Sequence, residues 1–225
     1  MKRFLLITVV TVLASTPAWA GLFSTALSDS DARGMRRLAV VSALGDTVHG
    51  RLVGLTAFQN KSFDGAAPDW GLDTAVTSRL RDSILASGRV PGEVTPLVAP
   101  SSETKKIIAF AKDQGFDAVL VLHPQEDPND RSIGPGPTLS RKQILGHAKS
   151  QVCNGMSVYI YRIVDDKEIG HANAYSCPNG YTALPWHDTW LEFTDEERRV
   201  VLNALHTFIE QQIDAALVTL KLQPH

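Results

Sequence analysis

Phe116-Asp117-Ala118-Val119-Leu120-Val121-Leu122 is almost continuously apolar, and a run of this length suits a strand covered on both faces, as in a sheet with helices on either side. Just before it, Gly115 closes a segment in which Ile107, Ile108, Phe110 and Ala111 fit a helix that Ser101 and Ser102 can cap. Further toward the amino end, Leu72, Val76, Leu80 and Ile84 recur every fourth residue ahead of Gly88, which gives a second amphipathic helix. Residues 93–99 form a short extended piece between the two helices. Residues 38–44, closed by Gly45-Asp46, and residues 51–58 read as two strands of a hairpin with a longer loop, and residues 60–71 have loop composition.

On the carboxyl side, residues 123–151 are polar and carry Pro124, Pro128, Pro135 and Pro137. They read as one long loop, with a short helical turn at Ile144-Leu145. Residues 157–164 and 169–175 flank Asp165-Asp166-Lys167-Glu168, a hairpin signal. In the last helix Thr194 and Glu197 have capping-box spacing, while Leu202, Leu205, Ile209, Ile213, Ala216, Leu217 and Leu220 supply the buried side. The fold class that follows is an α/β (α+β) sandwich, a mixed sheet of about five to six strands packed against three helices with one disulfide.

The chain has 225 residues. Residues 1–20 read as a removable export signal: Met1-Lys2-Arg3 is basic, residues 4–13 are mostly apolar, and Ala18-Trp19-Ala20 flanks a cleavage site. Cleavage is expected after Ala20, leaving Gly21 at the start of a single domain over residues 21–225. Gly21 stands where a lipid-anchor cysteine would be, and no later segment is apolar enough to span a bilayer. The expected location is therefore periplasmic or secreted. Loss of Lys2 and Arg3 takes the net charge from −2 to −4, which argues against nucleic acid or anionic lipid as the main partner. Cys153 and Cys177, an even pair in an exported chain, are expected to form a disulfide. With Asp165 opposite Glu168 they fall about three residues out of register, so a bulge or frayed strand end has to bring them together.

Leu38-Ala39-Val40-Val41, the junction Lys112-Asp113-Gln114-Gly115-Phe116-Asp117-Ala118-Val119-Leu120, and Tyr161-Arg162-Ile163-Val164-Asp165 running into a turn together resemble the periplasmic α/β domains of TolB amino termini, curli-secretion lipoproteins and activators of penicillin-binding proteins. The resemblance implies a protein-binding role in the cell envelope. The extra early strand, the longer central loop, the cysteine pair and the missing lipid-anchor cysteine depart from those families.

Candidate chemistry is sparse. Ser102-Glu103-Thr104-Lys105 has the Ser-x-x-Lys spacing of penicillin-recognising enzymes but lacks their Lys-Thr-Gly companion, so Ser102 reads as a helix cap. His147, His171 and His187, with Asp188, show no paired ligand spacing, and Glu126, Asp127 and Asp130 lack the calcium-loop pattern, so no metal or cofactor is expected. Tyr181, Trp186, His187, Trp190 and Phe193 crowd the segment before the last helix. Such aromatics serve either as a lid over the core or as an exposed recognition patch, with Tyr181, Trp186, His187 and Trp190 as the binding candidates. The leading expectation is a non-catalytic exported protein that binds an envelope protein or cell-wall component. Two rivals remain: a small hydrolase assembling Ser102, His171, His187 and Asp188, and a small-molecule carrier with an enclosed apolar pocket.

Overall fold

Leu38, Ala39, Val40 and Val41 are completely buried, and a strand buried on both faces requires sheet neighbours at its edges and cover above and below. In the computed structural model, which describes residues 24–130, 132–144, 147–178 and 184–223, those conditions are met. The elements in chain order are α1 (Asp29–Gly34), β1 (Arg37–Ser42), β2 (Thr47–Val53), β3 (Lys61–Ala66), α2 (Leu72–Ser87), β4 (Glu93–Val98), α3 (Thr104–Asp113), β5 (Ala118–Pro124), β6 (Gly136–Ile144), β7 (His147–Arg162), β8 (Lys167–Ser176) and α4 (Asp195–Thr219). Residues 1–20, the expected export signal, and Tyr181 lie outside the described residues.

All eight strands belong to one mixed sheet. β1 runs parallel to β4 and β5, and β2 runs parallel to β6 and antiparallel to β3. β7 is antiparallel to β5, β6 and β8. Asn154 and Gly155 pair with both β6 and β8, while residues 156–162 of β7 pair with β5 on one side and β8 on the other. It follows that β5 and β6 lie end to end along one edge of β7, and that β7 joins a β1–β5 half of the sheet to a β2–β6 half.

Several expectations change. β1 and β2 do not pair with each other; the turn between them is tied down instead by Asp73 of α2, whose carboxylate accepts from Ser42 Oγ and from the Leu44 and Gly45 amides. The second strand ends at Val53, so residues 54–58 belong to a turn, and β3 occupies part of the expected 60–71 loop. The expected long loop at 123–151 is strand in its second half, where β6 and the first part of β7 lie, and Ile144 ends β6 rather than forming a helical turn, with Leu145 outside the described residues. What disguised these strands is their polarity. Thr138 and Asn154 are completely buried, yet Thr138 Oγ1 donates to the Gly136 carbonyl and Asn154 Nδ2 donates to Gln212 Oε1 of α4 at 2.6 Å, bonds that make burial tolerable. The expected five to six strands and three helices become eight strands and four helices among the described residues, α1 being the added helix.

The two halves are covered differently. In the β1–β5 half, Leu38, Val40, Leu120 and Val158 pack under α2 and the second part of α4, and Ala39, Val41, Val119 and Val121 pack under α3 on the opposite face. In the β2–β6 half, Val48, Leu139 and Val152 meet Val201, Leu205 and Phe208 of α4. The other face of this half carries His49 and Arg51, and residues 125–130 and 132–135 cross over it. Ser132 and Ile133 are buried there, and Gly134 lies where a Cβ would meet Thr138 Oγ1, Arg51 Nε and His49 Cβ.

The disulfide joins Cys153 and Cys177, whose Cα atoms are 4.2 Å apart. The expected three-residue mismatch disappears for two reasons. The turn is wider than expected, Arg162 pairing with Lys167, and an irregularity at Ile160/Tyr161 shifts the later register by one. Asn154 then faces Ser176, and the cysteines come directly opposite at the next position, close to the ~4.5 Å of a non-hydrogen-bonded antiparallel pair.

Candidate functional site

The aromatic segment ahead of α4 folds down against β3. Phe63 on β3 lies with its ring centroid 5.5 Å from Trp186, 6.3 Å from Trp190 and 5.9 Å from Phe193. Trp190 is only 6% exposed, and its Nε1 donates to the Ala66 carbonyl at 3.1 Å. Gly65 is required beneath it, because a Cβ there would sit 2.3 Å from the indole ring. Trp190 is thus the lid over the β2–β6 half. Trp186 and His187 are half-buried beside it. His187 meets Phe193 edge-on with centroids 4.7 Å apart and reaches Glu197 at 3.3 Å, and Glu197 also closes the Thr194 capping box. Together the Thr194 and His187 bonds hold the Glu197 carboxyl below the ordinary carboxylate range.

Beside the lid is a cleft of about 360 Å³ whose walls include Asp69, Trp70, Trp190, Asp195, Arg198 and Asn203. The Arg198 guanidinium stands 5.8 Å from the Trp190 ring centroid and donates to the Trp190 and Leu191 carbonyls. Aromatic walls with planar Asp, Asn and Arg groups can stack on a ligand and hydrogen-bond to it. Sequence alone did not single out Trp70 or Arg198, because the cleft exists only when the 67–70 turn meets the start of α4.

The residues of the hydrolase reading are dispersed. Ser102 precedes α3, Asp188 pairs with Lys61 of β3, and His187 sits on Phe193 and Glu197. His171 is on β8, stacked on Tyr159 at 4.5 Å, with its Nε2 donating to Asn173 Oδ1 at 2.8 Å. Ser157 Oγ donates to that same oxygen at 2.6 Å, so Ser157 and His171 share an acceptor and no base faces the hydroxyl. Among the described residues no three or more His, Cys, Asp or Glu side chains are grouped so as to hold a metal ion.

The sequence reading missed a second polar and aromatic surface. Tyr159 and Tyr161 of β7, His171, Asn173 and Tyr175 of β8, and His123 at the end of β5 share one sheet face beside α3. Odd numbering along the 157–175 hairpin was the available signal. Burial, with the Glu168 charge and Tyr159 adding to it, pushes the Tyr161 hydroxyl up to about 12. Burial likewise holds the His123 imidazole below its ordinary value, and Thr104 Oγ1 lies 3.0 Å from its Nε2. A histidine whose folded value is depressed contributes stability that is present above its unfolded value and lost as pH falls. The urea midpoint should therefore drop between pH 7.5 and pH 5, and His123→Gln should flatten part of that drop. Equal slopes for the two proteins would remove His123 from the account.

The class defined by this geometry is a mixed α/β sheet domain with an aromatic-lidded cleft. No protein-family model and no curated protein matches the chain. Among solved structures, it is similar to a chain of the PelC dodecamer from Paraburkholderia phytofirmans, with 10% identity, 84% of this chain and 94% of that chain covered, and a TM-score of 0.34. It is also similar to protein XCC0632 from Xanthomonas campestris, of family DUF330, with 12% identity, 92% and 85% covered, and a TM-score of 0.36. A putative neuraminyllactose-binding hemagglutinin homolog from Helicobacter pylori shows 8% identity, 84% and 90% covered, and a TM-score of 0.30. At these values the functional reading rests on the chain's own residues. None of its described helices is long and apolar enough to cross a membrane.

Proposed function

We propose that this is a periplasmic protein, cleaved after Ala20 into one domain, that binds a cell-envelope protein or cell-wall component without catalysis. The observation that carries the reading is the cleft beside Trp190, where two tryptophans meet charged and amide side chains and no serine, threonine, cysteine or histidine is among the described lining residues. Trp190 is one wall of the cleft, Trp186 packs on Phe63 and His187 on Phe193 in the same aromatic cluster, and Tyr181 lies outside the described residues. Support for the TolB-type resemblance is local: α3, the turn at Gly115 with φ of 75°, and β5 follow in the expected order.

The test is crosslinking inside cells. A photoreactive residue at Asn203, on the cleft wall, should capture one reproducible envelope component, while the same residue at Lys105 on α3 should not. Arg199→Glu, at a cleft side chain 68% exposed, should reduce capture at least about tenfold, around 1.4 kcal/mol, with an unchanged melting temperature. Equal capture from both positions would sink the reading, as would a protein whose amino terminus retains residues 1–20.

A further inference from the structure

We propose that the turn between β2 and β3 docks the protein on an anionic lipid surface, with Phe58 and Leu55 entering the interface. Phe58 is 100% exposed and Leu55 is 59% exposed, and both lie on one tight tip, residues 54–60. A fully exposed phenylalanine at the apex of a strand pair packs against none of the described residues of its own chain. Aromatic and aliphatic side chains on a projecting element can enter the headgroup and acyl boundary.

What favours lipid over a protein pocket is the state of the tip's backbone. The Gly54 amide donates to Asn60 Oδ1 at 3.0 Å, and the Leu55 and Thr56 amides donate to Gln59 Oε1 at 3.0 and 3.3 Å. Gln59 N in turn donates to the Thr56 carbonyl at 3.0 Å. Three successive donors are thus satisfied by side chains from within the turn, so the apex can leave water without stranding them. A protein partner adding a strand or clasping the turn would instead exploit open donors.

The rungs behind the tip supply the charge. Leu52 faces Lys61 and Arg141, Val53 faces Lys142, and Lys142 faces Lys149. With Arg51 beside them, five basic residues occupy the last rungs of the β2–β6 half. Among the described residues, the acids that meet them come from loops: Asp188 pairs with Lys61, Asp130 pairs with Lys142, and Glu126 lines a cleft of about 250 Å³ with Arg51 and Lys61. This end keeps a positive excess although the whole chain carries a net charge of −2. Basic residues close behind an apolar tip are attracted to anionic headgroups and bring the tip to the surface. The overall acidity that argues against lipid as the main partner is therefore not shared by this end.

Flotation of the exported protein with vesicles tests this. With vesicles of phosphatidylethanolamine and phosphatidylglycerol at low salt, the protein should float, and with phosphatidylcholine alone it should stay at the bottom. Leu55→Ser with Phe58→Ser should lower the bound fraction at least about tenfold without changing the melting temperature, since both side chains are exposed. Val98→Ser with Val164→Ser removes two side chains that are 87% and 82% exposed elsewhere and should leave binding intact. The proposal fails if the protein does not float, if neutral vesicles carry it equally, or if the two double variants lose binding alike. Capture by a membrane protein through Phe58, with no vesicle binding, would also overturn it. Crosslinking from Asn203 reads the cleft separately, so either result can fail without the other.

Discussion

Trp190→Ala should cost about 3–5 kcal/mol of unfolding free energy, the range for removing a buried large aromatic. Three losses combine. The indole leaves a void between Phe63 and Phe193, whose centroids lie 6.3 and 5.0 Å from its own. The Ala66 carbonyl loses its 3.1 Å donor. Gly65 becomes a gap, because its missing Cβ matches the indole's shape and smaller side chains cannot refill it. Trp190→Phe should keep much of the packing but lose the hydrogen bond, about 1 kcal/mol. Trp186→Ala, at a half-buried position, should cost less than Trp190→Ala. Urea unfolding of the three variants checks the order, and a Trp190→Ala cost under about 1 kcal/mol would return this residue to the exposed-patch reading.

Replacing both cysteines by alanine should cost about 3.5 kcal/mol, the chain-entropy value for a loop closed over a sequence separation of 24. Alanine is the better test than serine, because Cys153 is completely buried and a serine hydroxyl there would add a desolvation cost. The bridge sits where β6 and β8 both pair with β7, so its loss should loosen the end of β8 before β5 separates from β7. Comparing midpoints with and without a thiol reductant gives the magnitude. A shift below about 1 kcal/mol would mean that the unfolded chain already holds these strands together.

The sequence made the helices and the central strand legible because their burial is apolar and periodic. Leu72, Val76, Leu80 and Ile84 do lie on one buried face, and residues 118–122 are buried throughout. It hid β6 and the start of β7 because Thr138, Ser140, Gln151 and Asn154 are buried polar residues, and polarity reads as loop until the partner strand is known. β3, Lys-Ser-Phe-Asp-Gly-Ala, was hidden for the opposite reason: an edge strand with most positions at least partly exposed carries little apolar signal. The site inherited that gap. Whether Trp190 is lid or patch depends on Gly65 and Ala66, which belong to the strand that could not be read. The cysteine register failed by a small local cause, a wider turn and one irregularity in β8, which no period-2 reading contains.

The order of strands also sets a schedule. If the chain leaves the cytoplasm amino end first, β1 to β4 reach the periplasm while β5 to β8 are still behind the membrane. During that interval β1 can pair only with β4 and β2 only with β3, and the edges that β5 and β6 will occupy stand open. Parallel pairs joined over such long stretches form slowly, and open edges are templates for other chains. In a chain exported in that way, the interval in which its second half is still being threaded is when these two edges are exposed to other chains.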